Sequence, residues 1–204
     1  MARLPDPFTN PEIALGFTSA SLIDNEPLIR DELPNGKVLE SKVSAQYWGL
    51  DISYPDMFPE EFKFLDAFVA EYKRTGGYIE VLLPQYETFR VRGNTGSTSI
   101  PGGQRGSALT INGVNTLSGV PKPGDLFQLS SHPKVYKITV VVNNGSNWVL
   151  GLYPDLFTTT NGSEKPVFNG ILFRTKLASG ETLNNNQTID GVYTGVGLKL
   201  RESL

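Results

Sequence analysis

The only histidine of the chain, His132, is the first residue whose side chain could do acid–base chemistry. It lies in the stretch SSHPK, where the serines and Pro133 favour an exposed turn. A serine hydrolase would need His132 as its base, but the sequence contains no Gly-x-Ser-x-Gly motif to present a nucleophile. We therefore predict no catalytic residue here and interpret His132 as a turn residue whose charge changes near neutral pH.

Metal and cofactor sites need clusters of ligands that this sequence does not supply. The 204 residues include no cysteine and one histidine, which excludes disulfides, thiolate zinc sites and cysteine nucleophiles. No Asp-x-Asp-x-Asp-Gly loop is present, and the glycine-rich segment 92–107 lacks the lysine of a phosphate-binding loop. We predict no metal and no cofactor.

Pairs of carboxylates are the remaining route to catalysis, because glycosidases place two acids across a sugar. Sequence spacing cannot show such a pair, and most acids in any chain are solvated surface residues. The neighbouring acids are Glu60 and Glu61, Asp31 and Glu32, and Asp24 and Glu26. A glycan-cleaving enzyme is therefore the weakest of the functions that the sequence leaves open.

The charge is uneven along the chain. Residues 1–92 hold 15 acidic and 9 basic side chains, residues 93–182 hold 4 and 7, and residues 183–204 hold 2 of each, for a net charge of −3. Tight nucleic-acid binders gather many cations, so this chain is predicted to repel a polyanion mildly. The first residues show no signal-peptide pattern and no long apolar run occurs, so we expect neither secretion nor a membrane span.

One helix is predicted in the stretch FPEEFKFLDAFVAEYKRTGG, residues 58–77. Pro59 suits a first turn, and the glycine pair 76–77 suits the end. Apolar side chains repeat at steps of three and four residues, which gives one apolar stripe of Phe62, Leu65, Phe68, Val69 and Tyr72. We expect this stripe to pack on a sheet.

Nearly all other patterned segments alternate as strands do. The predicted strands are 43–54, 77–83, 108–113, 125–129, 134–142, 147–153, 170–176 and 189–203. Segments 134–142 and 147–153 are joined by Asn144-Gly145, which suits a turn that needs positive φ, so this part is predicted to be a hairpin. The fold class that follows is mainly β (α+β) with one α-helix.

Two polar segments, 92–107 and 179–188, are predicted to be exposed and mobile. They bracket about seventy residues that hold five candidate strands, a size that fits a small OB-like β-barrel. Because a strand pattern resumes after the second segment, we interpret residues 93–182 as an inserted domain. The outer domain is then discontinuous, residues 1–92 and 183–204.

The inserted domain is the strongest candidate for binding a ligand. OB-folds bind oligosaccharides or single-stranded nucleic acid through aromatic side chains on one barrel face. Three aromatic residues in the predicted strands could contact a glycan: Tyr136, Trp148 and Tyr153. Core packing explains Tyr136 and Trp148 equally well, so both interpretations stay open.

Three stretches resemble the distal tail proteins of siphophages. They are LESKVSAQYWGLDISYPDMFPEEFKFLDAFVAEYKRTGGYIEVLLP, SALTINGVNTLSGVPKPGDLFQLSSHPKVYKITVVV and the final TIDGVYTGVGLKLRESL. The resemblance implies a hexameric ring that joins the tail tube protein to the baseplate hub protein, with DNA passing through the lumen without specific binding. It also implies an N-terminal β-sandwich or split-barrel-like domain with one helix and a peripheral domain, which in some members is suspected of touching host-surface polysaccharide.

The sequence thus predicts a structural virion component at the tail tip, made and assembled in the host cytoplasm, and not an enzyme. The acidic excess of residues 1–92 agrees with a channel that must let DNA pass. Neighbouring copies could supply stability that no disulfide or metal supplies here. A carbohydrate- or nucleic-acid-binding module that acts through the inserted domain is the alternative.

Overall fold

The computed structural model describes residues 2–12, 16–42, 45–183 and 186–204. It is mainly β, with one α-helix among the described residues, α1 (Pro59–Thr75). The strands are β1 (Ala2–Arg3), β2 (Ser19–Asn25), β3 (Leu28–Glu32), β4 (Val38–Lys42), β5 (Tyr47–Ser53), β6 (Ile79–Leu82), β7 (Ala108–Asn112), β8 (Leu126–Leu129), β9 (His132–Asn143), β10 (Asn147–Tyr153), β11 (Pro166–Val167), β12 (Leu172–Leu177) and β13 (Gly197–Glu202). The prediction of a mainly β protein with one helix is confirmed.

The chain divides into two compact units. The first unit consists of residues 1–80 and 175–203, and the second consists of residues 81–174 with residue 204. The sequence predicted domain boundaries at 92/93 and 182/183 instead. Those boundaries stay a prediction, and the two units are described separately below.

The main sheet of the first unit has β5 and β13 at its centre. Its full strand order is β1-β6-β12-β13-β5-β2, and β13 and β2 both pair antiparallel with β5. Strand alternation turns Trp48, Leu50 and Ile52 of β5 to the buried face, together with Leu198 and Leu200 of β13. The alternation predicted for this strand is therefore confirmed; residues 43–44 of the predicted strand lie outside the described residues.

The buried face of this sheet also includes a carboxylate, Glu202 of β13. Its position follows from the alternation that buries Leu200 and Leu198, two and four residues earlier. One carboxylate oxygen of Glu202 accepts a hydrogen bond from the backbone N–H of Trp48, at 3.1 Å. This contact ties the end of β13 to the start of β5.

Helix α1 begins and ends where its sequence predicts. Pro59 occupies the first turn, and the Glu61 carboxylate accepts the backbone N–H of Phe58 at 2.7 Å, which satisfies a donor that the helix leaves open. The helix buries Phe62, Leu65 and Val69 at steps of three and four residues. The Phe62 ring stacks on that of Tyr193, with 3.9 Å between ring centroids.

The second unit contains a five-stranded antiparallel sheet in the order β11-β8-β9-β10-β7. The predicted hairpin is confirmed: β9 and β10 pair antiparallel, and the turn between them contains Gly145 at φ +81°. Directly before β8, the Asp125 carboxylate accepts a hydrogen bond from the backbone N–H of Lys122 at 2.9 Å, as expected for a turn that leads into a strand. The pairing of the described strands runs from β11 to β7 without closing a barrel, so the OB-like barrel stays a prediction, as does the sandwich or split barrel of the first unit.

Two segments differ from their predicted form. Within 92–107, Thr98 and Ile100 are buried. Hydrogen bonds from the Ser99 backbone to Asn112 and from the Gln104 side chain to Thr110 hold this segment against β7. The strand predicted at 189–203 begins only at Gly197, since Gly191 and Gly195 adopt positive φ and form turns before it. The glycine-rich composition of the first segment predicted exposure, and the alternation in the second segment predicted a strand along its whole length. Both predictions were wrong in part.

Candidate assembly surface

Strand β2 forms one end of the main sheet of the first unit. It pairs with β5 along its whole length, from Ser19 opposite Ser53 to Asn25 opposite Tyr47. The pairing is close, because a Cβ at Gly49 would lie 2.9 Å from the side-chain nitrogen of Asn25. A terminal strand is the part of a sheet to which another chain can add its own backbone. Most side chains of β2 are exposed or half-buried.

After two intervening residues the chain continues into a second hairpin, formed by β3 and β4. The two strands pair antiparallel from Leu28 opposite Lys42 to Glu32 opposite Val38 and form a sheet of their own. The turn between them is closed by the Gly36 N–H, which donates to the carbonyl of Leu33 at 2.9 Å. Arg30 and Glu40 stand opposite each other and form an exposed ion pair at 2.7 Å, which contributes little to stability in water.

This hairpin displays apolar side chains to solvent. Ile29 is 60% exposed and Leu39 is 45% exposed, and the register places both on one face, with Asp31 directly opposite Leu39. Val38, on the other face, is also exposed. A two-stranded sheet is at best marginally stable by itself in water. An exposed hairpin with apolar residues is therefore typical of a surface that a partner covers.

Further apolar side chains of the first unit are exposed, which adds to the surface available for contacts. Ile189, in the turn before Gly191, is fully exposed, and Phe58 precedes helix α1. Phe8 follows Asp6, a buried residue whose carboxylate accepts the backbone N–H groups of Phe8 and Thr9. The hydrogen bonds to Asp6 fix the backbone there, so that the Phe8 ring is presented on a rigid turn.

The aromatic residues proposed to contact a glycan differ in burial. Tyr136 is 1% exposed, and its hydroxyl accepts the backbone N–H of Phe157 at 3.1 Å. Trp148 is 2% exposed and packs edge-to-face on Phe168, with 5.9 Å between ring centroids. These two rings are part of the core of the second unit and present no face on which a sugar could stack. Tyr153, which is half-buried, keeps part of its surface in solvent.

His132 is not the exposed turn residue that its neighbours in sequence indicate. It is half-buried and begins strand β9, and its Nδ1 accepts the backbone N–H of Lys134 at 3.0 Å. Its ring lies 4.8 Å from that of Phe157. Burial lowers the pKa of His132, and the positive charges of Lys134 and Arg174 lower it further. The imidazole is therefore uncharged at neutral pH, since protonation would break the Nδ1 hydrogen bond and place a third cation nearby.

The acidic residues considered for catalysis have structural contacts or face solvent. Glu61 caps helix α1, and Asp24 accepts a hydrogen bond from the side chain of Gln46 at 2.8 Å. Asp31 and Glu32 are exposed on the β3–β4 hairpin. Within the described ranges, histidine and carboxylate side chains form no cluster of three or more that could hold a metal ion. Nor does the described part of the chain contain a helix long and apolar enough to cross a membrane.

Comparison with known proteins identifies the family of this chain. Sequence profiles of distal tail protein pb9 match almost the whole chain: the N-terminal part of its A domain at residues 4–86, its B domain at residues 87–171, and the C-terminal part of its A domain at residues 173–204. Distal tail protein pb9 of Escherichia phage T5 is 63% identical over 203 residues, which cover 99% of this chain and 100% of that protein. The chain belongs to the pb9 distal tail protein family. It is a structural component of a phage tail, and its partners are to be sought in tail assembly.

The two units of this distal tail protein carry net charges of opposite sign. The first unit holds 17 acidic and 10 basic side chains, a balance of −7, whereas the second holds 4 and 8, a balance of +4. Both the terminal strand β2 and the β3–β4 hairpin belong to the acidic unit. The surfaces suited to assembly therefore lie on the part of the distal tail protein that repels polyanions.

Sequence reasoning missed the β3–β4 hairpin, although a signal for it was present. The pair Asn35-Gly36 stands between LIRDE and VLESK, and Asn-Gly between two short extended segments is a strong hairpin signal. The flanking segments contain too many charged residues to show an apolar alternation. Among the described residues, the side chains of these two strands are not part of a buried core, so no buried face imposes an apolar pattern on them.

Alanine substitutions can separate the two roles considered for the aromatic residues of this distal tail protein. Trp148→Ala should destabilise the second unit by about 3–5 kcal/mol, the usual effect of removing a large buried aromatic side chain. Tyr153→Ala should cost less, because the ring is only half-buried. Chemical denaturation followed by circular dichroism measures both. Equal stability of Trp148→Ala and the unchanged protein would contradict the assignment of Trp148 to the core.

Proposed function

We propose that this distal tail protein forms a hexameric ring at the tail tip, which joins the tail tube to the baseplate hub. The observation that carries the proposal is the exposed apolar hairpin β3–β4, directly after the terminal strand β2. In a closed ring, one surface of each copy contacts a different surface of the next copy. The exposed strand and hairpin of one copy are then covered by its neighbour. Ile29 and Leu39 are the anchors of this contact.

The charge distribution supports a second part of the proposal, that DNA passes through the ring without specific binding. The balance of −7 in the first unit disfavours capture of a polyanion. A lumen formed by this unit would let DNA slide, since it offers few cations to neutralise phosphates. The discontinuous outer part of the chain, predicted as residues 1–92 and 183–204, forms the ring, and the inserted part lies at its periphery.

The proposed role needs no catalysis, and assembly is expected in the host cytoplasm before the tail is complete. The groups considered for catalysis do not converge in the described residues: His132 bonds the backbone, Glu61 caps a helix, and Asp24 bonds Gln46. Contact with a host-surface polysaccharide through the second unit is a further role. Among the three aromatic residues considered for it, only the exposed part of Tyr153 can contribute a stacking surface.

Reconstitution with tail components tests the ring. The protein mixed with tail tube and baseplate hub proteins should give sixfold rings at the end of the tube in electron micrographs, and the protein alone at high concentration should show whether the tube is needed as a template. Copies that remain single and never join the tube would contradict the proposal. In the same buffer, weak and salt-insensitive retention of duplex DNA is expected, whereas tight binding that falls steeply with salt would contradict free passage.

A further inference from the structure

Five turns of this protein contain the dipeptide Asn-Gly. They are Asn35-Gly36, Asn112-Gly113, Asn144-Gly145, Asn161-Gly162 and Asn169-Gly170. In all five the glycine has a positive φ, between +65° and +92°. Residues with a Cβ are strained in this region, so each turn needs the glycine. One structural requirement thus places the same dipeptide at five positions.

Asn-Gly is also the dipeptide most prone to spontaneous deamidation. The glycine nitrogen loses its proton to solvent and attacks Cγ of the asparagine side chain; the bond from Cγ to Nδ2 then breaks, and ammonia leaves with a proton. Water opens the resulting cyclic imide at either carbonyl, which gives aspartate or isoaspartate and adds one negative charge. The reaction needs a glycine nitrogen that can lose its proton and approach Cγ, so a hydrogen bond that holds this N–H slows it.

In the structure every one of these glycine N–H groups donates a hydrogen bond. The acceptors are the carbonyl of Leu33 for Gly36 at 2.9 Å, the carbonyl of Ser146 for Gly113 at 2.9 Å, the side-chain oxygen of Asn143 for Gly145 at 2.9 Å, the carboxylate of Glu164 for Gly162 at 2.9 Å, and the carboxylate of Glu87 for Gly170 at 2.8 Å. The five sites therefore differ in the acceptor that protects them.

The two carboxylate acceptors give the strongest protection. Glu164 is buried and accepts the N–H groups of both Asn161 and Gly162, at 2.8 and 2.9 Å. Hydrogen bonds from these and neighbouring backbone N–H groups lower the pKa of Glu164 against the opposing effect of its burial, so its charge is kept at neutral pH. A fixed negative charge beside an N–H disfavours the amide anion on which the reaction depends.

Asn169 is protected in a similar way. The Glu87 carboxylate accepts the Gly170 N–H at 2.8 Å, and the side chain of Asn169 itself donates to the carbonyl of Val91 at 2.8 Å. Both reacting groups of this dipeptide are thus held by partners far away in sequence. Cyclisation at Asn169 would require both hydrogen bonds to break together.

The weakest protection is at the tip of the β9–β10 hairpin. There the acceptor for Gly145 is the side-chain oxygen of Asn143, an exposed residue at the end of the strand, whereas Gly36 and Gly113 donate to backbone carbonyls. In the other exposed hairpin turn, the side-chain oxygen of Asn35 also accepts the backbone N–H of Lys37 at 3.1 Å, so that side chain is held as well. Asn144 is exposed as well. We propose that Asn144 is the main site of spontaneous deamidation in this protein, and that the carboxylates of Glu164 and Glu87 protect Asn161 and Asn169 from the same reaction.

The test is incubation of the intact folded protein in mildly alkaline buffer, followed by peptide mass spectrometry that quantifies aspartate and isoaspartate at each of the five positions. Asn144 should react first, and Asn161 and Asn169 last. The chain unfolded in denaturant provides the reference, because there all five dipeptides are unprotected. Similar rates at all five positions in the folded protein, or fastest reaction at any position other than Asn144, would overturn the proposal.

Two variants at one exposed position give opposite expected results. Asn143→Ala removes the acceptor and should raise the rate at Asn144 about fivefold, the equivalent of one ordinary hydrogen bond of ~1 kcal/mol. Asn143→Asp keeps the acceptor oxygen and adds a charge, so it should lower the rate at Asn144. An unchanged rate in both variants would show that the Gly145 hydrogen bond does not control the reaction.

A third variant tests the carboxylate directly. Glu164→Ala should raise the rate at Asn161 at least about fivefold, for the loss of one hydrogen bond to Gly162, while the rates at Asn112 and Asn169 stay constant. Those two positions report on the fold, because unfolding would accelerate all sites together. A constant rate at Asn161 in a folded Glu164→Ala protein would overturn the protective role of Glu164.

Discussion

Ring formation is expected to fail when Ile29 and Leu39 are both replaced by aspartate. The two side chains lie on one face of the β3–β4 hairpin and are 60% and 45% exposed in the single chain. Covering their exposed parts in a subunit contact contributes about 2 kcal/mol in total, which corresponds to a roughly thirtyfold change in the association constant. Two carboxylates in the same contact would weaken it further, since each would lose water without gaining a partner.

The fold of the variant should survive, because neither side chain belongs to a buried core. A matched control exists in the second unit, where Val140 and Val142 of β9 are exposed to a similar degree, 54% and 46%. Val140→Asp together with Val142→Asp makes the same chemical change at positions outside the proposed contact. Electron microscopy of rings and sedimentation of the free protein measure both variants. Rings that persist in the hairpin variant, or vanish equally in the control, would contradict the assignment of the contact to the hairpin.

A large loss of stability is expected from Gly119→Ala in the second unit. A Cβ at this position would lie 1.9 Å from the carbonyl oxygen of Arg90, far closer than two such atoms can approach. The position of the Cβ is fixed by the backbone of residue 119, and the oxygen belongs to the backbone of Arg90. No side-chain rotation can therefore relieve the clash. The neighbouring residues Arg92 and Ser118 exchange two backbone hydrogen bonds, both at 2.9 Å, which must stretch if the segments separate. We expect a loss of about 4 kcal/mol, at the upper end of the range for single substitutions.

Gly103→Ala separates the clash from the backbone strain. Gly103 has φ +84° and Gly119 has φ +80°, but a Cβ at Gly103 would meet no atom within 4 Å. The control should therefore lose only about 1–2 kcal/mol, the usual penalty for a left-handed residue with a side chain. Hydrogen exchange at the amides of Arg92 and Ser118 should accelerate in Gly119→Ala alone. Equal losses in both variants would show that φ, and not the contact with Arg90, sets the requirement for glycine.

Helix α1 and the β9–β10 hairpin show what local sequence can predict. Both have signals that act within a few residues: Pro59 and the glutamates at the helix start, and Asn144-Gly145 in the hairpin turn. The apolar stripe and the strand alternation then select which face is buried. The predicted bounds were accordingly close, with 134–142 and 147–153 predicted against His132–Asn143 and Asn147–Tyr153 in the structure.

The aromatic residues show the limit of the same reasoning. In the sequence, Tyr136 and Trp148 suit a binding face and a core equally well. Alternation shows which side of a strand a side chain faces, but it does not show whether that side meets solvent or the protein interior. Trp148 packs on Phe168, which is distant in sequence, and Tyr136 belongs to the same buried cluster, so this side of the strands is the core. His132 was misjudged for the same reason, since Phe157 shields it from solvent.

The sequence alone determined the mainly β class with one helix, the lack of thiol chemistry, the uneven charge and the resemblance to distal tail proteins. Composition and short-range patterns are sufficient to reveal these properties. Only the tertiary structure decided that the β3–β4 hairpin stands apart with Ile29 and Leu39 exposed, that Glu202 is buried beside Trp48, and which acceptor holds each Asn-Gly turn. These features depend on contacts between residues far apart along the chain. Such contacts arise when the chain folds, and no local pattern encodes them.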